Sequence, residues 1–359
     1  MGKYSTKLAN VKVLDLSSVL AGPTVGTFLA ELGATVIKIE HPEIPDITRS
    51  WKLTNEDKSL PISAYFSSVN YGKSYEKLNL KEANDYAIFL EMVKAADILL
   101  MNFKKGDDIK LGLTKEKLMA QNPQLIIGKI TGFGSNSDRV AYDLILQAES
   151  GIMSMNGTQE SGPLKMPIAL IDVLAAHHLK EALLLALLDK ERAKSAYQGE
   201  VVEVSLYRAA ISSLANQASN YLMAGHIPQA IGSLHPNIAP YGEIFKTKDQ
   251  ALITFAIGTN KHFQLLCDWL GLPELAKDEK YVSVQNRVKH RTALFEHLQI
   301  AVQNYTTEEL LSAMTERNVP CAKIKKLQEV FEDKQAQTLV KSEYIDGVLT
   351  HRVSQIAFE

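Results

Sequence analysis

The sequence predicts an α/β fold with two domains, a doubly wound domain around a parallel sheet and a smaller α+β domain. The first observation is a strand–helix–strand pattern within residues 11–40, which implies parallel strands joined by a right-handed crossover. The second is that strand-like apolar runs alternate with a helical pattern as far as residue 134. The third is a change of composition after residue 226, where a segment rich in prolines and glycines precedes a predicted β-hairpin.

Local patterns predict the elements of the first domain. The opening run alternates and is rich in β-branched residues, which is typical of a strand. Pro23 in the first turn of the following helix and Gly33 after its last turn are boundary signals. In chain order the predicted elements are the strand 11–17, the helix 21–33, the strand 34–40, the helix 81–95 and the strands 95–103 and 123–134.

A long helix is predicted over residues 173–191, and a single carboxylate, Asp172, comes directly before it among apolar residues. Asp172 follows Ile171 and precedes Val173, so we expect it to be withdrawn from open water. Two interpretations stay open at this point. Aspartate is among the most favoured N-cap residues of helices, and a desolvated carboxylate at the mouth of a pocket can act as a nucleophile.

The second half has a different organisation. A strand and an amphipathic segment within residues 200–225 lead to a turn-rich linker over 227–244. A hairpin is predicted around residues 246–250, followed by helices within 260–271 and 292–318. The predicted ranges are a large domain over 1–200, a linker over 201–230, a small α+β domain over 231–310 and a further linker within 311–359.

Composition and charge exclude several classes of function. The 359 residues carry a net charge of −2, so the chain has no general basic field for nucleic acid. No apolar run approaches the length of a membrane span, and no secretory signal follows Met1. We therefore expect a cytoplasmic protein that binds neither nucleic acid nor membrane.

Metal and dinucleotide sites are also disfavoured. Cys267 and Cys321 are single and form no C-x-x-C motif, so they indicate neither a zinc site nor a redox site. His177 and His178 are adjacent on the long helix and diverge too far to bind one ion. Although Glu40 ends the second strand as in a dinucleotide site, "AGPTVG" is not G-x-G-x-x-G. We expect no metal and no NAD.

Five separated segments, in the same order, resemble the class III CoA-transferase family, the formyl-CoA and carnitine CoA-transferase group. The resemblance implies a Rossmann-like CoA-binding domain, a smaller α+β domain, and a C-terminal segment within 311–359 that returns to the large domain. It also implies the interlocked-dimer CoA-transferase architecture, a homodimer, with coenzyme A as a thioester and with acyl-CoA and carboxylic acid as substrates. The segments are 13–51, 130–157, 168–178, 232–249 and 319–333.

The same resemblance assigns roles to residues. Asp172 matches the family's nucleophile, which attacks the acyl-CoA thioester to give a mixed anhydride and then an aspartyl-CoA thioester. Tyr142 is expected beside the thioester, and Asp143 is expected to orient groups or bind ligand rather than to transfer a proton. The residues that match CoA-binding or substrate-binding positions are Leu20, Ala21, His41, Gly72, Lys73, Asn102, Phe103, Lys104, Lys110, Tyr142 and Asp143.

Two alternatives to CoA transfer stay open. The related α-methylacyl-CoA racemases need a histidine at the position of Tyr142 together with an acid that matches Asp172. Tyrosine is a poor base near neutral pH, because its ordinary pKa is about 10, and this favours a transferase. The other alternative is a catalytically inactive CoA-binding homologue, since a fold does not guarantee its function.

Overall fold

Strands alternate with helices from the start of the chain. The computed structural model describes residues 3–358. In chain order its strands are β1 (Lys12–Asp15), β2 (Thr35–Glu40), β3 (Lys73–Lys77), β4 (Ile98–Met101), β5 (Ile126–Thr131), β6 (Gly157–Thr158), β7 (Gly162–Pro163), β8 (Glu200–Ser205), β9 (Tyr241–Lys246), β10 (Leu252–Ala256), β11 (Cys321–Lys323), β12 (Val340–Ile345) and β13 (Val348–Val353).

The helices connect these strands and follow some of them in series. In chain order they are α1 (Ala21–Glu31), α2 (Ala64–Ser68), α3 (Ala83–Lys94), α4 (Asp107–Lys110), α5 (Lys115–Gln121), α6 (Asp143–Glu149), α7 (Ile152–Met155), α8 (Leu170–Ala193), α9 (Leu206–Ser212), α10 (Ala215–Ala224), α11 (Asn260–Trp269), α12 (Val284–Lys289), α13 (Arg291–Val302), α14 (Thr307–Glu316), α15 (Leu327–Phe331) and α16 (Lys334–Thr338). No helix within residues 3–358 is long and apolar enough to cross a membrane.

A parallel sheet with the order β3-β2-β1-β4-β5-β8 forms the centre of the first compact unit. This confirms the predicted α/β class. The edge strand β3 was not predicted, because its sequence "KSYEK" is polar and only its first residue is buried. By contrast, every residue of β4 is buried, as expected for a central parallel strand that is covered on both faces.

Alternate residues of the central strands enter two different hydrophobic cores. Val13 of β1 packs with residues of α1 and α8, such as Leu29 and Leu179. Its neighbour Leu14 packs on the other side with residues of α3 and α5, such as Phe89. Because strand side chains alternate in direction, this pattern defines three layers, with the sheet between two layers of helices.

A second compact unit is built around the antiparallel sheet β11-β10-β9. The predicted hairpin is present as β9 and β10, and the sheet is covered by apolar residues of helices α11, α13 and α14. Cys267 is fully buried in this core. The unit comprises Met155–Pro163 and Gln229–Ala336, and the first unit comprises the chain up to Ser154, Leu164–Pro228 and the chain from Gln337.

These limits differ from the ranges expected from the sequence. The small unit continues to Ala336 rather than residue 310, because β11 pairs with β10, with Cys321 opposite Phe255. This three-residue strand was not predicted, because no long apolar run marks it. The hairpin β12–β13 belongs to the first unit, where Ile345 packs against Phe66.

Lys180, in the middle of α8, is an unusual buried cation. Its side chain is 3% exposed, and its ammonium donates to Gln355 Oε1 at 3.2 Å and lies 5.0 Å from the centre of the Phe28 ring. No carboxylate forms an ion pair with it among residues 3–358. Burial lowers the pKa of Lys180 to about 8.

We expect Lys180→Met to raise the free energy of unfolding at pH 7 by about 1–3 kcal/mol, because the folded state no longer has to hold a desolvated charge. The folded pKa of about 8 lies below the unfolded value of about 10.4, so the wild type gains stability as pH rises between these values. The advantage of the variant should therefore shrink by pH 10. Urea titrations at pH 7 and pH 10 measure both effects.

Lys190→Met is the matched control, because Lys190 on the same helix forms an ion pair with Asp97 at 2.8 Å. This variant should not be stabilised. An equal pH dependence of stability in the wild type and in Lys180→Met would contradict the prediction.

Candidate active site

A cavity of about 210 Å³ lies at the carboxyl ends of β1, β4 and β5. Doubly wound sheets bind ligands here, where the strand order reverses between β1 and β4. The walls come from the β1–α1 loop, the segment after β4, the loop from β5 to α6 and the first turn of α8. The predicted site residues that line it are Leu20, Ala21, Asn102, Phe103, Lys104, Tyr142 and Asp172.

Asp172 is the third residue of α8 and lines this cavity with a half-buried side chain. The N-cap interpretation of Asp172 is wrong, because α8 begins earlier than predicted and Ala169 occupies the cap position. Ala169 has no side-chain oxygen to accept an amide of the first turn.

Asp143 supplies the missing cap from α6. Its Oδ1 accepts the backbone N–H of Ile171 at 2.7 Å, and its Oδ2 accepts the side-chain amide of Gln147 at 2.6 Å. Gln147 is fully buried, and its Oε1 accepts the N–H of Met166 at 2.7 Å. Asp143 is therefore fixed in orientation and holds the turn that carries Asp172.

The charge of Asp172 is hard to accommodate in this position. Burial, and then the nearby negative charge of Asp143, together raise the pKa of Asp172 to about 7. The helix N-terminus acts in the opposite direction, because it favours the ionised carboxylate. Tyr65 of α2 lies close by: burial, and then the charge of Asp172, raise its pKa to about 12.

The loop between β1 and α1 reaches the cavity in a strained conformation. Val19 has φ +72°, a left-handed value that a β-branched residue rarely adopts. Its N–H donates to Asp46 Oδ2 at 3.2 Å, and Ser18 exchanges hydrogen bonds with the Asn102 side chain at 3.0 and 2.8 Å. The start of α1 at Leu20 has no side-chain cap within the described residues. Leu20 and Ala21, at this start of the helix, line the cavity.

A second cavity, of about 380 Å³, adjoins the first and shares Ser18 and Phe103 with it. It lies beside the carboxyl ends of β1, β2 and β3, and His41 lines it. The Nδ1 atom of His41 accepts the N–H groups of Glu43 and Ile44 at 3.1 and 3.2 Å. Glu40, which resembled a ribose-binding acid, forms an ion pair with Arg49.

The structure does not bring Gly72, Lys73 or Lys110 to either cavity. The Lys73 side chain is fully buried, and its ammonium donates to Asp15, Asn70 and the Pro23 carbonyl at 2.8–2.9 Å. All three of its N–H groups are thus used within the protein. Gly72 donates its N–H to Glu343, and Lys110 pairs with Asp107 at 2.8 Å on the surface.

Sequence reasoning missed three cations that line the first cavity beside Lys104. Lys129 pairs with Asp108 at 3.0 Å, Lys105 pairs with Asp138 at 3.4 Å, and Arg139 pairs with Glu149. Lys104 has no such ion pair in the part of the chain that the structure describes. The run "NFKKG" was the available signal, but lysines in such runs are usually solvated.

No group of three or more His, Cys, Asp or Glu side chains is placed to hold a metal ion within residues 3–358. The first cavity holds the Asp172 carboxylate in partly apolar surroundings, with cations around it.

Comparisons with known proteins point to one family. Residues 8–358 match the model of CoA-transferase family III. The succinate–glutarate CoA-transferase of Agrobacterium fabrum is 35% identical over 336 residues, which cover 92% of this chain and 83% of that protein. The acetyl-CoA:oxalate CoA-transferase of Acetobacter aceti is 36% identical over 312 residues, which cover 86% and 78%.

The fold agrees with the sequence comparison. The crystal structure of a CAIB/BAIF family protein from Brucella suis superposes with a TM-score of 0.84 at 33% identity, covering 99% of this chain and 93% of that one. The chain belongs to CoA-transferase family III and is an enzyme that transfers CoA between an acyl-CoA and a carboxylic acid.

Proposed function

We propose that Asp172 is the nucleophile of the transfer and that it carries the acyl group and then CoA in turn. The observation that carries this proposal is the position of Asp172: its carboxylate lines the cavity at the switch point of the sheet, with a pKa of about 7. A carboxylate with a raised pKa is more basic than an ordinary one, and it is ionised in a useful fraction of molecules at neutral pH.

The transfer then takes four balanced steps. A carboxylate oxygen of Asp172 attacks the thioester carbonyl and CoA leaves as thiolate, which gives a mixed anhydride. The thiolate attacks the Asp172 carbonyl, releasing the donor acid as its carboxylate and forming an aspartyl-CoA thioester. The acceptor carboxylate attacks that thioester and again expels the thiolate. Finally the thiolate attacks the acceptor's carbonyl, which forms the new acyl-CoA and frees Asp172.

We propose that CoA spans both cavities. The thioester would lie by Leu20, Ala21 and Tyr142, where the uncapped start of α1 can stabilise a developing oxyanion. Pantetheine would pass Asn102, Phe103 and Lys104, and the nucleotide would occupy the second cavity with His41. Phe103 borders both cavities, which supports one continuous path.

The substrates that we propose are dicarboxylic. The relatives are named for succinate, glutarate and oxalate, each of which has a second carboxylate beside the reacting one. Lys104 and the three other cations of the first cavity give it the charge to hold that second group, since cations bind carboxylates by charge-assisted hydrogen bonds.

We also propose an interlocked homodimer, as the family resemblance implies, and a cytoplasmic location, as the sequence patterns predict. Helix α10 supports a partner at this surface: Leu222 is 78% exposed and Met223 is 89% exposed, and Tyr221 beside them is also exposed. A second copy of the chain would cover these apolar side chains.

Replacing Asp172 with asparagine should abolish transfer, by at least about 1,000-fold, and leave the fold intact, because the amide has nearly the same shape and no nucleophilic oxygen. Hydroxylamine added to the wild type with an active acyl-CoA should convert Asp172 to a hydroxamate that peptide mass spectrometry detects. The control is Asp189→Asn, an exposed aspartate near the other end of α8. Ordinary turnover by the Asp172 variant would refute the mechanism.

The rate should depend on the ionisation of Asp172. Only the carboxylate attacks, so kcat/KM for the acyl-CoA should fall about tenfold per pH unit below roughly pH 7 and level off above it. Initial rates between pH 5 and pH 9 give the profile. A rate that stays constant from pH 5.5 to pH 8 would show that the attacking group does not have the raised pKa of Asp172.

The substrate class can be tested with acids of equal length. Glutarate and pentanoate differ in the terminal carboxylate, so glutarate should be the better CoA acceptor from succinyl-CoA by about tenfold or more, the scale of one charge-assisted hydrogen bond. Mass spectrometry of the acyl-CoA products measures both rates in one mixture. Equal use of the two acids would contradict a dicarboxylate site and leave CoA transfer itself in place.

A further inference from the structure

We propose that Asp143 is a positioning residue that aims Asp172 at the thioester and sets the pH range in which Asp172 is ionised. This inference rests on the proposed role of Asp172 and deepens it. It assigns to Asp143 a function in the reaction although Asp143 does not touch the reacting atoms.

The first support is geometric. Asp143 Oδ1 accepts the N–H of Ile171, the residue directly before Asp172, at 2.7 Å. This bond crosses from α6 to α8, between residues 28 positions apart in the chain. A shift of Asp143 would move the turn that presents the nucleophile, and small misplacements of reacting groups are costly for catalysis.

The second support is the choice of residue. Helices α11, α12 and α14 are capped by the hydroxyls of Thr259, Ser283 and Thr306, each from its own N-cap position. A serine in place of Ala169 could cap α8 in the same way without a charge. The chain instead has Ala169 there, and the cap comes from the Asp143 carboxylate. Asp143 therefore places a second negative charge near Asp172, which a hydroxyl cap would not do.

The third support is electrostatic. The groups around Asp172 are Asp143 on α6, Tyr65 on α2, Tyr142 at the start of α6, and the cations that line the same cavity, which are Lys104, Lys105, Lys129 and Arg139. After burial, the charge of Asp143 is the next cause that raises the pKa of Asp172. The repulsion between the two carboxylates exists only while Asp172 is ionised.

The chemical consequence follows from the charge of each state. When Asp172 attacks the thioester, it becomes a neutral anhydride, and the negative charge leaves on the CoA thiolate. Acylation thus relieves the repulsion from Asp143. Asp143 therefore raises the energy of the free nucleophile relative to the acylated enzyme, which favours attack.

The test uses Asp143→Asn alone and together with Gln147→Glu. Asparagine keeps an oxygen for the Ile171 N–H, but its amide then faces the side-chain amide of Gln147. Glutamate at 147 can accept both that amide and the N–H of Met166, so the double variant completes the hydrogen bonds and moves the charge one helical turn away. Circular dichroism shows which variants fold.

The direct measurement is the titration of the Asp172 carboxyl group by difference infrared spectroscopy. For the wild type and for each variant, the spectrum of the same protein with Asp172→Asn added is subtracted. We expect the midpoint in Asp143→Asn to fall by half a pH unit or more, a threefold or larger change in the ionisation constant. The double variant should lie between Asp143→Asn and the wild type. Asp189→Asn, at the far end of α8, is the control that should leave the midpoint in place.

The kinetic measurement separates this role from a purely structural one. Above pH 8 the transfer rate of Asp143→Asn should be about tenfold lower than that of the wild type, and the deficit should shrink below pH 6, where the variant retains more ionised Asp172. A structural defect would lower the rate by the same factor at every pH.

Asp143→Asn decides the question if it folds, and the double variant decides it otherwise. If Asp172 titrates with the wild-type midpoint in whichever of these two variants folds, the proposal is overturned. The infrared titration needs no turnover, so it is independent of the hydroxylamine test. If the midpoint shifts but Asp172 never forms a hydroxamate, the proposed nucleophile is refuted and the Asp143–Asp172 interaction is retained.

Discussion

The active site depends on buried ion pairs beneath the loop between β1 and α1. Lys38 lies 3.1 Å from Asp46 and donates to the Ser17 carbonyl at 2.7 Å, and both side chains are 1% exposed. Asp46 in turn accepts the N–H of Val19, which stands in a strained conformation. Buried charges are expensive to desolvate and stabilise a fold only when all their partners are present. The loop that borders the first cavity is therefore fixed only when this charge network is complete.

The prediction for Lys73 shows what sequence reasoning cannot find. A lysine in "NYGKS" has the composition of a ligand-binding or surface lysine, but its partner Asp15 lies 58 positions earlier. Their contact depends on β3 joining the edge of the sheet beside β2, and the polar sequence of β3 gives no sign of that strand. Pairs that depend on tertiary register leave no local pattern in either segment.

Several predictions that rested on local signals were confirmed. Periodicity and end signals gave the first strand–helix–strand unit and the hairpin of the small unit. Asp172 was distinctive because a lone charge stood among apolar residues. Its capping arrangement was not predictable, since Ala169 occupies the cap position and Asp143 acts from another helix. Local rules describe the usual residue at a helix end, and a functional site is where the unusual one is expected.

The exclusion of water from the cavity affects both the lifetime of the proposed anhydride and the ionisation of Asp172. In the mechanism that we propose, the mixed anhydride must react with the thiolate before water reaches it, so water has to be kept away from Asp172. The same exclusion of water, together with the charge of Asp143, raises the pKa of Asp172 to about 7. A wetter cavity would lower that pKa and keep more Asp172 ionised, but it would also hydrolyse the intermediate. In that mechanism the raised pKa follows from the exclusion of water that protects the anhydride. Partial ionisation of Asp172 at neutral pH is compatible with attack on the thioester and with protection of the intermediate.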